Sequence, residues 1–351
     1  MCDFSRYGGP SEEWLAVQAG LPTPPKLSLE EKKRTTNEGR EKLAAEVMEQ
    51  LGKKVRIQDY SIPTRDGSSI EARTYRPVSI DEAETLPVYI HFHGGGFFFG
   101  TLSSEDAIAA RIAINAKVIV LNVNYRHTPE HVYPAPYHDA QDAFDWLHAN
   151  IATVKGNPEQ VVVGGISAGA QLTSSLTLQK ALGKACVSAP PIAGQVLMIP
   201  CVAHMDCYGP QLAKMKSPDV SSYKENHDAP ILSVATCRFF LDLLKCEPLD
   251  DADLMLNPGN ASPDDVRGLP PTVFGIAGLD PLRDEGLLYA KMLTEAGVAT
   301  DINLFQGVPH GFRRFGEKLS ACERWDEVME NGIRWALNKP QATGEFNVKT
   351  E

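Results

Sequence analysis

The chain has 351 residues, 43% of them hydrophobic and 23% charged. That gives enough apolar material for a large buried core and excludes the disordered class. A formal charge of −11 without clustered Lys and Arg excludes a nucleic-acid-binding surface. The absence of any apolar window of about 18 residues excludes a membrane-spanning helix.

In chain order, SEEWLAV (11–17) predicts a short helix, LPTPP (21–25) a break, and residues 28–52 a charged helix with apolar residues at helical spacing. VRIQDYSIP and SSIEARTYRP (55–77) flank the turn TRDG and predict a hairpin. LPVYIHFHGGGFF (86–98) is an apolar strand that runs into glycines. Helices and strands then alternate: helix 103–116, strand 117–125, helix 138–151, strand 160–165, helix 167–182 and strand 194–200. Residues 201–257, with the helical stretch SVATCRFFLDLLK, interrupt this rhythm as an insertion. The rhythm resumes with strand 272–280, helix 284–297, strand 300–307 and helix 323–338. Such βαβ alternation predicts an α/β fold with a mostly parallel sheet covered by helices on both faces. The tail 341–351 lacks apolar periodicity and is expected to be frayed.

The seven cysteines are an odd number with no C-x-x-C pair, which fits a reducing compartment. The first twenty residues lack an apolar segment behind a basic one, so the expectation is a soluble, cytoplasmic protein. CVAHMDC (Cys201 to Cys207) places two thiols around His204 but lacks a second ligand pair at zinc spacing. No metal and no cofactor is expected.

The chemistry concentrates at strand ends. Gly165-Ile166-Ser167-Ala168-Gly169 lies between an apolar strand and a helix, the context in which G-x-S-x-G presents a nucleophile on a strained turn. Small residues are needed there because neighbouring backbone approaches closely. His93-Gly94-Gly95-Gly96 ends another apolar strand, where a polyglycine run can aim main-chain N–H groups into a shared cavity. Asp280 directly follows one late strand and His310 follows the next, in Pro309-His310-Gly311-Phe312. The order Ser167, Asp280, His310 is that of serine, acid and histidine in an α/β-hydrolase. Asp284 competes for the acid's role but reads better as a helix-start carboxylate. Of the nine histidines, only His310 follows the last strand, and the others read as structural or solvated. A dinucleotide-binding G-x-G-x-x-G fails in register, because Ile166 stands where glycine is required.

With these residues in place, the region from Leu86 to Trp335 resembles the hormone-sensitive-lipase-like group of α/β-hydrolases. The resemblance rests on HGGG, on Tyr125-Arg126-His127-Thr128-Pro129-Glu130 with Tyr133-Pro134-Ala135-Pro136, on ASPDDVRGLPPTVFGIAGLDPLRDEG ending at Gly286, and on VPHGF. It implies an α/β-hydrolase fold with an eight-stranded, mostly parallel sheet and a helical cap. Residues 1–55 and the insertion 201–257 would supply the cap, residues 56–200 and 258–340 the core, and 341–351 a flexible tail. The implied activity is serine carboxylic-ester hydrolysis. Ser167 would be the nucleophile, His310 the base and Asp280 its partner. The oxyanion hole would fall on Gly94, Gly95, Gly96 and Ala168, with donors from Gly95, Gly96 and Ala168 and support from His93. Two departures from the group stand out: Ile166 where an acidic residue is usual, and Ala170 where a second glycine is usual. The expected partner is a small ester, and the chain is also compatible with a homodimer. Phe97, Phe98 and Phe99, with Tyr208, Tyr223, Phe239 and Phe240 in the insertion, suggest an apolar or aromatic acyl or alcohol group. Two alternatives stay open: acyl transfer, condensation or cyclisation in secondary metabolism with the same serine and histidine, and a non-catalytic small-molecule receptor on the same fold.

Overall fold

Continuous apolar runs become central strands and the alternating segments become an edge hairpin, as burial on two faces or one requires. A computed structural model describes residues 1–22 and 25–350. Thr23 and Pro24 of the expected break, and Glu351 of the tail, lie outside the described residues. The chain opens with α1 (Glu12–Ala19) and α2 (Leu29–Leu51), the latter closed at its N-terminus by a capping box of Ser28 and Glu31. The hairpin β1 (Val55–Pro63) and β2 (Ser69–Pro77) follows. Then come β3 (Leu86–Phe92), α3 (Asp106–Ala116), β4 (Ile119–Asn124), α4 (Ala135–Ala149), β5 (Gly156–Ile166), α5 (Ala168–Ala181) and β6 (Gly194–Met198). The insertion holds α6 (Gly209–Leu212), α7 (Ser222–Glu225) and α8 (Val234–Leu244). The chain closes with β7 (Thr272–Leu279), α9 (Arg283–Glu295), β8 (Thr300–Pro309), α10 (Ala321–Leu337) and β9 (Val348–Thr350).

The sheet order is β1-β2-β4-β3-β5-β6-β7-β8-β9. Only the β1–β2 and β2–β4 pairs are antiparallel. The sheet thus has nine strands where eight were expected, and the extra one comes from the tail expected to fray. Val348, Lys349 and Thr350 pair in parallel with Ile302, Asn303 and Leu304, and Phe346 packs against Phe4. Three residues paired through backbone need no apolar periodicity, so pattern alone could not reveal them.

Connections place the site. β3 leads through α3 to β4 on one side, while β5 leads through α5 to β6 on the other, and β3 and β5 are neighbours. In open α/β sheets a crevice forms where connections part in this way, outside the carboxyl ends of the strands. Those ends carry the two glycine motifs. All of α5 from Ala168 to Gln179 is buried. Several of its polar members bond back along the helix, as Thr173 does to the Gly169 carbonyl and Thr177 to that of Thr173.

Two segments far apart in sequence meet over this edge. Lys33, Asn37, Arg40 and Glu41, at helical spacing on one face of α2, reach the loops that follow β3 and β4. Asn37 Oδ1 accepts from the Gly100 N–H at 3.0 Å, Glu41 accepts from the Thr101 hydroxyl at 2.6 Å, and Lys33 donates to the Thr128 carbonyl at 2.9 Å. From the other side α8 brings Phe239 and Phe240 against Phe98 and Phe99, and Lys32 lies over the Phe239 ring. Among the described residues, no helix is long and apolar enough to cross a membrane.

Candidate active site

β5 ends at Ile166, α5 begins at Ala168, and Ser167 between them adopts φ 56° and ψ −118°. A non-glycine residue held there stores roughly 1–3 kcal/mol of strain, and it persists because the surroundings fix it. The Ser167 N–H donates to the Met198 carbonyl at 2.8 Å. The flanking glycines are sterically required. A Cβ on Gly165 would stand 2.3 Å from the Gly169 carbonyl, and one on Gly169 only 2.0 Å from that of Phe92. Strand β3, the turn and the start of α5 therefore pass at backbone contact distance.

His310, one residue past β8, brings Nε2 to 2.8 Å from Ser167 Oγ, where it can accept the hydroxyl proton. Its Nδ1 donates to Asp280 Oδ2 at 2.6 Å. The other Asp280 oxygen accepts from the Leu282 N–H at 2.9 Å. Asp280 is 1% and His310 7% exposed, while Ser167 is half-buried, so the chain of bonds runs from the interior to an open end. Sequence reasoning did not find Asn226 of the insertion, whose side-chain amide donates to the Asp280 carbonyl at 3.1 Å. It converges from 54 positions away, and no local pattern marks it.

The glycine loop is held from behind. The Gly94 carbonyl accepts from His93 Nδ1 at 3.2 Å and from both terminal nitrogens of Arg40 at 3.3 Å. A trans peptide is planar, with C=O and N–H opposed, so the Gly95 N–H points away from Arg40. The Gly95 carbonyl likewise accepts from the Phe98 and Phe99 N–H groups, which turns the Gly96 N–H the other way. The N–H groups of Gly95, Gly96 and Ala168 donate to no backbone group among the described residues. Gly95 at φ 143° and Gly96 at φ 62° occupy backbone regions open chiefly to glycine.

The block from Tyr125 to Thr128 braces this loop. The Tyr125 hydroxyl donates to the His93 carbonyl at 2.8 Å, its ring stacks on His93 at 4.4 Å, and the Thr128 N–H donates to the Phe97 carbonyl at 2.8 Å. Burial lowers His93 to about 4 and holds His127 well below the usual histidine range. Both rings are therefore neutral near pH 7. With Nδ1–H of His93 committed to Gly94, its Nε2 accepts from His127 Nε2–H at 3.2 Å. The remaining histidines lie apart from Ser167, with His91 buried against Glu105 at 3.2 Å.

Ile166 packs where the resemblance leads one to expect a carboxylate. Its carbonyl and Cγ2 would be 2.9 and 3.2 Å from a Cβ on Gly94, and its side chain joins the apolar cluster containing Met198 and Phe312. Asp284, the competing acid, is buried in an ion pair with Arg283 at 2.8 Å and accepts the Ser222 N–H at 2.7 Å, which leaves Asp280 alone on His310. Beside it, Glu285 is fully buried, accepts from the Val202 N–H at 2.6 Å and the Tyr223 hydroxyl at 3.0 Å, and is pushed up to about 8 by burial.

Phe97 and Phe98, grouped with Phe99 as a ligand-facing run, are both buried instead, and Phe97 turns into the core and stacks on Tyr137 at 5.8 Å. The positive φ angles at Gly96 and Phe97 send it under the loop. Phe98, Phe99, Phe239 and Phe240 form a ring cluster, and the Phe240 ring lies against the Cα of Gly96, 2.4 Å from where a Cβ would stand. All seven cysteines are unpaired. Among the described residues no group of three His, Cys, Asp or Glu is placed to hold a metal, and CVAHMDC forms no such cluster.

A model of the alpha/beta hydrolase fold family matches residues 89–314. The chain is similar to carboxylesterase NlhH of Mycobacterium tuberculosis, 35% identical over 273 residues that cover 76% of this chain and 79% of that one. It is similar to the ethyl acetate hydrolase of Pseudomonas putida, 32% identical over 78% of this chain and 80% of the other. Among solved structures, that of vibralactone cyclase superposes with a TM-score of 0.86 at 28% identity, covering 97% of this chain and 98% of that one.

Proposed function

The chain belongs to the α/β-hydrolase family, in its hormone-sensitive-lipase-like group, and from that premise we propose that Ser167, His310 and Asp280 hydrolyse a small, predominantly apolar carboxylic ester through an acyl-enzyme. Carboxylic-ester hydrolysis is the activity shared with the curated relatives. The observation that carries the residue assignment is the unbroken series of short contacts from Asp280 through His310 to a strained, half-exposed Ser167. As His310 Nε2 takes the hydroxyl proton, Oγ attacks the ester carbonyl and its electron pair moves onto the carbonyl oxygen. The N–H groups of Gly95, Gly96 and Ala168, kept from other partners, stabilise that oxyanion. The intermediate collapses, the alcohol leaves with the proton held by His310, and water repeats the sequence on the acyl-enzyme. Asp280 keeps the imidazole in the productive tautomer and stabilises its charge. The ring cluster around Phe240, in contact with Gly96, supports an apolar acyl or alcohol group.

Ser167→Ala should lower kcat on p-nitrophenyl acetate or butyrate by at least a thousandfold and abolish labelling by a fluorophosphonate. Undiminished hydrolysis by that variant would refute the assignment. A wild-type protein that resists the fluorophosphonate would favour a receptor. A second reading, ring closure by an internal hydroxyl in place of water, is favoured by the likeness to vibralactone cyclase over nearly the whole chain. Incorporation of labelled water into the product separates the two. A cytoplasmic site of action is part of this reading, supported by seven unpaired thiols.

A further inference from the structure

The acid of the triad stands where the sheet stops guiding the chain. Regular pairing of β7 with β8 is interrupted between Ala277 and Leu279, and Asp280 is the first residue past β7. Side chains take hold of the backbone there. The Gly278 carbonyl accepts from the Arg283 guanidinium at 3.3 Å and from the Asn226 side-chain amide at 3.4 Å. The Asp280 carbonyl accepts from the same Asn226 nitrogen at 3.1 Å. Asn226 is 7% exposed, so its bonds are sheltered from water and cannot readily be replaced by it.

Asn226 follows directly on α7, a single turn of the insertion that grips the acid's loop along its length. The Ser222 hydroxyl donates to the Pro281 carbonyl at 2.7 Å and accepts from the Asp284 N–H at 3.1 Å. The Tyr223 hydroxyl donates to Glu285 at 3.0 Å, and Glu225 pairs with Arg283 at 2.9 Å. These three residues fix α7 to positions 281–285, beyond the acid, and Asn226 is the one that bonds to Asp280 itself. The Asp280 carboxylate meets His310 at 2.6 Å and is carried on a single methylene, so a turn of the backbone at 280 swings it off the imidazole. A bond to the Asp280 carbonyl restrains that turn, and reacting groups must be held to about 0.5 Å and 10–20°.

We propose that Asn226 is a positioning residue for the acid: by holding the carbonyls of Gly278 and Asp280 it keeps the carboxylate on His310. The insertion then supplies part of the machinery of turnover as well as a cover for it. This rests on the reading of Asp280 as the partner of His310 and adds what holds that partner in place.

The test is a double-mutant cycle on p-nitrophenyl butyrate, with kcat and KM measured for Asn226→Ala, Asp280→Ala and the double variant at high enzyme concentration, and a melting temperature for each. Asn226→Ala should lower kcat about tenfold and leave KM within about twofold, because the residue acts on the acid and not on bound ester. In the Asp280→Ala background the same substitution should cost almost nothing further, since no carboxylate remains to be placed. The cycle is run in parallel with Asn226→Leu, which keeps the branching and bulk of the side chain and removes its donors. It should lose kcat as Asn226→Ala does, so that lost packing is not the cause, and it serves if Asn226→Ala fails to fold. An unchanged kcat, or a loss of the same size with and without the Asp280 carboxylate, overturns this inference alone and leaves Asn226 a purely structural role. An Asp280→Ala variant that turns over like the wild type overturns the assignment of the acid, and this inference with it.

Discussion

Glu285 illustrates how a single buried group can set a pH response. It faces the Val202 N–H, the Tyr223 hydroxyl, the Cys201 thiol and, at longer range, Asp280. Burial raises it from 4.5 to about 8, so it is protonated in the folded protein at neutral pH. Below about pH 4.5 both folded and unfolded chains carry the proton. Between there and about pH 8 only the unfolded chain ionises, the folded state binds more protons, and stability falls as pH rises. Glu285→Gln preserves an acceptor for both donors and removes the titration. Its unfolding free energy, followed by denaturant titration, should therefore decline less than that of the wild type between pH 5 and pH 8. Equal slopes in the two proteins would show that the carboxyl is ionised when folded. The strand-end residues Ser167, Asp280 and His310 were legible in the sequence because each directly follows an apolar run. Glu285, Asn226 and Arg40 were not, because their contacts arise from side chains of separate elements meeting in space.

At the scale of elements, α2 acts on the glycine loop as a clamp. Asn37, Arg40 and Glu41 lie within one and a half turns and hold Gly100, Gly94 and Thr101 respectively. Gly100 itself has φ 130° and lies against the His93 ring, 2.1 Å from where a Cβ would stand, so this end of the loop has no side chain at Gly100 to hold it and relies on α2. Asn37→Ala leaves the Gly100 N–H without its acceptor, which costs about 1–3 kcal/mol where the group stays buried. The expected result is a severalfold lower kcat with a smaller change in KM, because oxyanion donors that wander weaken transition-state binding first. Unchanged kcat would assign the helix a covering role only. Charged residues at helical spacing predicted α2 itself, but nothing in residues 28–52 announced which loop its polar face would hold.

For the whole molecule, the tail matters more than its composition suggests. β9 covers the outer edge of β8, the strand that delivers His310, and Lys349 pairs with Asp301 at 2.8 Å. Uncovered strand edges recruit other chains. Removing residues 340–351 should lower the melting temperature by a few degrees and promote concentration-dependent association, read by scattering or sedimentation. A truncated chain that stays monodisperse with an unchanged melting temperature would show that β9 contributes neither. The alternation of strands and helices made the parallel sheet readable, since even β6, at 5 residues, is buried along its whole length and so reads as an apolar run. A three-residue strand needs no such run, which is why the ninth escaped.

Register supplies one more consequence. His91 pairs with Gly164 and Phe92 with Gly165, so the glycine loop and Ser167 leave adjacent strands at the same level, separated by one strand spacing of about 4.8 Å. The sheet thus serves as a ruler between the glycine loop and Ser167, graduated in hydrogen bonds. α2 and residues 201–257 hold the groups that stand at either end of that measure, the Gly94 carbonyl by Arg40 and the Asp280 carbonyl by Asn226, so the ladder sets the spacing and these two segments steady what it spaces.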